Sequence, residues 1–224
     1  MSTLVLNVGN TSLFGGVCAG SRIGRRFRVP VREAAEPHGF KKLVVDRVRG
    51  PFDAVALCSV VPALTETFVR QIETTWGCTP QLLTAAADHG LEIGYRRPQE
   101  LGTDRLAAAV GARALFPRRD VIVVDCGTAT TVTALTRTGR IAGGAILPGL
   151  ALWSEMLAAR TAQLPEVLPV RRPAPLGRSP REAIASGLFH GHAGAIRELV
   201  QVVARDAFGK APAVVVGTGG NAPR

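Results

Sequence analysis

The chain has 224 residues, of which 46% are hydrophobic and only 5% aromatic, and it carries a formal net charge of +10. This length suits one large or two small domains, with cores built from Ala, Val and Leu rather than from rings. The charge rests on 24 arginines against three lysines (Lys41, Lys42 and Lys210), scattered in short runs without interleaved aromatics. That pattern describes solvated faces and argues against a nucleic-acid groove, which needs rings to stack bases.

Residues 54–64 and 142–153 are the longest apolar runs, and Pro62, Pro148 and several glycines break them. Both fall short of the roughly 18 residues a spanning helix needs, so no membrane partner is expected. No basic region precedes the first apolar run and Asn7 interrupts it, which argues against a signal peptide and for a cytoplasmic protein. Cys18, Cys58, Cys78 and Cys126 have neither a CxxC nor a zinc-type spacing and read as reduced core thiols. His190 and His192 are two positions apart, and on a helix such side chains point in different directions rather than toward one metal.

In chain order, residues 1–20 read as a β-hairpin: a strand at 4–8, a turn through Gly9, Asn10 and Thr11, and a second strand at 13–18. Strands near 54–59 and 80–83 flank a helix near 63–75. Residues 99–116 read as a further helix, stopped by Pro117. A second hairpin follows at 121–136, then helices near 150–160 and 180–208. Between those helices lies a Pro- and Arg-rich loop, 164–178, whose composition suits a linker or a lid. A strand at 213–216 runs into Gly217-Thr218-Gly219-Gly220.

The two hairpins echo each other. Leu4-Val5-Leu6-Asn7-Val8-Gly9-Asn10-Thr11 and Ile122-Val123-Val124-Asp125-Cys126-Gly127-Thr128-Ala129-Thr130 share one design: apolar strand, polar residue, glycine turn, threonine. A glycine lets the backbone approach a phosphate closely. Turn N–H groups and Thr hydroxyls donate to phosphate oxygens. An acid at the strand end can hold a cation or its bound water. One such turn alone is an ordinary hairpin; two, each opening one half of the chain, point to phosphate chemistry. With the glycine-rich turn at 217–220, the order resembles the actin, Hsp70 and sugar kinase superfamily. The resemblance implies an α/β protein of two RNase H-like (actin/hexokinase-type) domains, 1–117 and 118–224, with ATP in the cleft between them.

The segment from Tyr95 to Ala109 precedes the second hairpin. Thr103 or Asp104 suits the N-cap of the helix that follows, with Arg105 in a salt bridge. A carboxylate at Asp104 also suits a general base, and Arg105 a bidentate holder of a substrate carboxylate. The pattern Tyr95-x-x-Pro98-x-x-Leu101-Gly102-x-Asp104-Arg105-Leu106-Ala107, followed by Val124-Asp125-Cys126-Gly127-Thr128-Ala129-Thr130-Thr131, resembles the type III pantothenate kinases. Gly143-Gly144, Pro148-Gly149-Leu150, Leu164-Pro165, Ala183-Ile184, Ser186-Gly187 and Gly219-Gly220 extend the resemblance in order.

That resemblance implies transfer of the ATP γ-phosphoryl group to the primary hydroxyl of pantothenate, the first step of coenzyme A synthesis. It implies Asp104 as the base, and Tyr95, Gly102, Thr103, Asp104, Arg105 and the position of Pro180 around pantothenate. It implies Asn7, Val8, Gly9, Asn10, Thr11, Ser12, Leu13 and Phe14, with Gly127, Thr128 and Gly219, around ATP. Mg2+ would accompany ATP, Asp125 would hold a monovalent cation (K+ or NH4+), and the protein would be a homodimer. The family pattern also continues past residue 224 with a helix and a strand. Three positions depart from it: Asn7 and Thr133 stand where acids are usual, and Pro180 where a threonine is usual. These departures leave open a relative that keeps the fold and acts as a ligand-binding or regulatory accessory protein, or a kinase for another small hydroxy acid.

Overall fold

The computed structural model describes residues 2–20, 22–48 and 50–222. By contacts the chain divides into two compact units: residues 1–89 with 97–107, and residues 90–96 with 108–224.

In the first unit, β1 (Ser2–Val8), β2 (Ser12–Ala19) and β3 (Arg22–Pro30) form an antiparallel meander. Two short helices follow, α1 (Val31–Ala35) and α2 (Pro37–Leu43). The chain then returns through β4 (Ala54–Ser59), which pairs parallel to β1. Helix α3 (Pro62–Trp76) leads to β5 (Gln81–Leu82), parallel to β4, giving the order β3-β2-β1-β4-β5. The bounds of α3 follow from its sequence: Pro62 sits in the first turn, where its missing N–H is no loss, and Gly77 closes the end at φ 67°. Strand alternation then decides the faces. Leu4, Leu6 and Val8 of β1 are fully buried against Phe40, Phe68 and Ile72, while Val5 and Asn7 point to the other face.

The second unit repeats this plan. The short β6 (Glu92–Ile93) pairs with the meander's outer strand. Helix α4 (Thr103–Leu115) starts in the first unit, and its later residues are grouped with the second. Then β7 (Val121–Cys126), β8 (Ala129–Leu135) and β9 (Arg140–Pro148) form a second antiparallel meander. Helices α5 (Leu150–Arg160), α6 (Pro180–Ser186) and α7 (His192–Phe208) follow, and β10 (Val214–Thr218) pairs parallel to β7. The order is β10-β7-β8-β9-β6. Both units thus consist of a three-stranded meander whose first strand gains a parallel neighbour, the RNase H-like arrangement, and the internal echo of the sequence is an echo of topology. The second core packs Ile122, Val124 and Val132 against Ile196, Leu199 and Val203 of α7.

Some elements differ from the sequence expectation. The helix expected over 99–116 begins at Thr103, because Pro98–Glu100 form a separate 3-10 turn and Gly102 parts the two. The helix expected over 180–208 is divided by a π-helical turn, Gly187–Gly191. The Pro- and Arg-rich loop is tied to its own unit. Ser154 Oγ donates to the Val167 carbonyl (2.7 Å) and accepts from the Val167 N–H (2.9 Å), and Ser186 Oγ donates to the Pro175 carbonyl (2.6 Å).

Candidate active site

In the first unit, the carboxyl ends of β1 and β4 meet the first turn of α4. The β1–β2 turn is closed by the Gly9 N–H donating to the Ser12 carbonyl at 2.9 Å. Of the residues expected around ATP, Val8 and Leu13 have their side chains in the core, so only their backbone is available there. Asn10 and Thr11 are exposed at the tip. Asn7 stands in register with Phe14 of β2 and Cys58 of β4. Its amide Oδ1 is buried and has no hydrogen-bond partner among the described residues. An acceptor left this way costs roughly 1–3 kcal/mol unless a ligand or its bound water satisfies it.

Thr103 fastens α4 to β4. Its Oγ1 donates to the Ser59 carbonyl at 2.7 Å and accepts from Cys58 Sγ at 3.4 Å. Burial pushes the Cys58 thiol up to about 11; the Thr103 hydrogen bond opposes this and the nearby Asp104 charge adds to it. The thiol therefore stays protonated and serves as a donor. Asp104 follows, half-buried, with Oδ1 accepting the Arg105 N–H at 2.7 Å. A Cβ on Gly102 would stand 2.7 Å from that same oxygen, so glycine leaves the carboxylate its place. Asp104 thus satisfies one N–H of the first helical turn with this oxygen. Arg105 is 6% exposed.

In the second unit, the β7–β8 turn is closed by the Gly127 N–H donating to the Ala129 carbonyl at 3.1 Å. Asp125 stands in register with Thr131 and Thr218. Two further segments pack on this turn. The Gly149 N–H donates to the Thr128 carbonyl at 3.0 Å, and a Cβ there would collide with the carbonyl oxygens of Gly127 and Thr128. Gly219, at φ +92°, lies so close to the Asp125 carboxylate and the Cys126 backbone that a Cβ would stand 2.6 Å from the Cys126 nitrogen. The Asn221 N–H donates to the Cys126 carbonyl at 3.0 Å. The exposed Thr128 is presented at the tip. Beneath it, Thr130 Oγ1 and His192 Nε2 are hydrogen-bonded at 2.9 Å in a buried setting. Burial holds the His192 imidazole below its ordinary value, so it is neutral. His190 bonds instead to the Pro173 carbonyl at 3.2 Å.

Tyr95 and Pro180 lie in the second unit, whereas Gly102, Thr103, Asp104 and Arg105 lie in the first. Pro180 occupies the first position of α6, behind Ser179, whose Oγ accepts from the Glu182 N–H at 3.3 Å. It borders an apolar pocket of about 420 Å³ lined also by Trp153, Leu157, Leu164, Ile184 and Leu188. Thr133 is buried on β8. The sequence singles out Gly149 only as part of a motif and Cys58 only as a core thiol, and it gives no signal for Ser59 or Asn221, whose contacts are long-range.

Among the described residues, no three His, Cys, Asp or Glu side chains are grouped to hold a metal ion. Mg2+ bound with a nucleotide asks for few protein ligands, since phosphates and water fill most of its shell. The Asn7 oxygen and the Asp125 carboxylate are hard oxygen donors of the kind such cations accept. Among the described residues, no helix is long and apolar enough to cross a membrane.

Two RNase H-like units, each with a glycine turn at the end of its first strand and a polar residue beside it, define an ATPase fold of the actin and hexokinase class. A structure from Campylobacter jejuni, described as a Baf family transcriptional activator, shares this fold at TM-score 0.56 and 18% identity, covering 95% of this chain and 90% of its own. The type III pantothenate kinase family profile matches residues 3–202. The type III pantothenate kinase of Legionella pneumophila (strain Corby) is 38% identical over 222 residues, covering 97% of this chain and 87% of its own length. Type III pantothenate kinase 2 of Francisella tularensis subsp. tularensis (strain SCHU S4) is 36% identical over 227 residues, with the same coverage. The chain belongs to the type III pantothenate kinase family.

Proposed function

We propose that this chain transfers the γ-phosphoryl group of ATP to the primary hydroxyl of pantothenate, giving 4'-phosphopantothenate and ADP in the first step of coenzyme A synthesis. The observation that carries the reading is the Thr103 clamp, which holds Asp104 at the carboxyl end of β4, next to β1 and its glycine turn. A base in that position accepts the hydroxyl proton as the new O–P bond forms and the bond to the bridging oxygen of ADP breaks. Arg105 holds the pantothenate carboxylate with parallel hydrogen bonds, and Tyr95, Gly102, Thr103 and the Ser179–Pro180 corner line the rest. The backbone of 7–14, the hydroxyls of Thr11 and Thr128, and the Gly127 and Gly219 turns bind ATP. Mg2+ bound with ATP supplies charge neutralisation of the phosphates, and Asn7 would meet it through water; Asp125 would hold K+ or NH4+. Phosphoryl transfer rests mostly on such positioning. We take the protein as a cytoplasmic homodimer.

The amide at Asn7 and the proline at 180 favour a second reading, a family member that binds ligand without turnover. ADP release with Mg-ATP, with and without pantothenate and K+, separates the two. Pantothenate-dependent ADP supports the kinase, and ATP binding without release supports the accessory role.

A further inference from the structure

Strand β3 carries Arg22, Arg25, Arg26 and Arg28, all exposed. Three of these are the solvated charges expected on an edge strand. Arg28 is held differently. Its Nε donates to Ser12 Oγ at 3.0 Å, and its guanidinium carbon stands 5.1 Å from the centroid of the Phe14 ring. Ser12 is itself 9% exposed and belongs to the first glycine turn. The register places Arg28 opposite Phe14, Phe14 opposite Asn7 and Asn7 opposite Cys58. Residues in register share a face, so these four make one row across the sheet. That face lies opposite the core residues Leu6, Val8, Leu13 and Val29, and it carries the orphaned Asn7 oxygen and the Thr103 clamp.

We propose that Arg28 is a phosphate-binding residue of the first glycine turn, and that Ser12 is its positioning residue. The proposal rests on the reading of that turn as an ATP site. With Nε fixed by Ser12 and the plane held over a ring, both terminal nitrogens of the guanidinium remain, and they make no ion pair among the described residues. A planar fork prepared in this way suits two oxygens of one phosphate, which a freely rotating arginine meets at a larger entropic cost. With an amide rather than a carboxylate at position 7, no anion in the row competes for it. The chemistry recognised is the polyphosphate of a nucleotide, so the contribution should grow with phosphate number and be absent for the nucleoside.

The test is calorimetric titration of the full chain with ATP, AMP and adenosine for wild type, Arg28→Gln, Arg28→Lys and Ser12→Ala. The expected result is an ATP affinity roughly tenfold weaker in Arg28→Gln, with adenosine affinity unchanged and pantothenate KM held. Arg28→Lys, which keeps the charge without the fork, should fall between, and Ser12→Ala should lose ATP affinity with its melting temperature retained. If Arg28→Gln does not fold, the Lys and Ala variants carry the comparison. Equal losses for ATP and adenosine, or no loss in a protein that turns over pantothenate, overturn the assignment while leaving the kinase reading intact. Wild type that binds no ATP overturns both.

Discussion

Asp104 accepts a backbone N–H in the first turn of α4, and the Thr103–Ser59 bond ties that turn to the carboxyl end of β4. Capping and catalysis can be separated at this one residue. Asp104→Asn keeps an oxygen for the Arg105 N–H but cannot take a proton, so turnover should fall about 10²- to 10⁴-fold while the melting temperature stays put. Unchanged turnover would leave Asp104 as a cap alone. Asn7 offers the reverse experiment. Its buried oxygen lacks a partner, and a carboxylate there would be stabilised by a cation and penalised without one. Asn7→Asp should therefore melt earlier than wild type in EDTA and regain stability with Mg-ATP. Its turnover should rise by about tenfold, since a charge-assisted hydrogen bond is worth roughly twice a neutral one. Melting curves and a Mg2+ titration read both effects. A variant with lower turnover at every Mg2+ concentration would mean that the amide belongs to a working site.

At the scale of elements, the Thr130–His192 bond joins the start of α7 to the strand behind the second glycine turn. Burial lowers the His192 pKa from 6.5. The unfolded chain takes up this proton near 6.5 and the folded chain only at lower pH, so stability falls as pH drops through that window. His192→Gln keeps a partner for Thr130 and removes the titration, so its melting temperature should decline less steeply between about pH 6.5 and 5. Parallel slopes for the two proteins would contradict this. The elements legible in the sequence were those with local signals. The hairpins at β1–β2 and β7–β8 announce themselves by apolar strands around a glycine turn, and α3 by its Pro62 and Gly77 ends. Strand β3 gives no such signal, because an edge strand with arginines at four positions lacks alternation. Strand β9 is masked by Gly143-Gly144, and β6 has only two residues. Residues 102–105 stand out in the sequence because they form one continuous motif. Gly149 and Asn221 pack on the second glycine turn, and Arg28 bonds to Ser12 beside the first, through contacts across 21, 95 and 16 residues, which no local pattern encodes.

Across the whole molecule, one plan occurs twice, and the two copies differ at the residue that matters for charge. The penultimate residue of the first strand is Asn7 in one unit and Asp125 in the other, each two residues before the turn glycine. This asymmetry should tune the kinase rather than abolish it, because Asp104, Arg105 and both glycine turns are retained. The most direct test is ADP release by the purified chain in Mg-ATP and K+, with pantothenate present or withheld. The expected result is release that depends on pantothenate and disappears in Asp104→Asn. Nucleotide binding with no pantothenate-dependent release would contradict it.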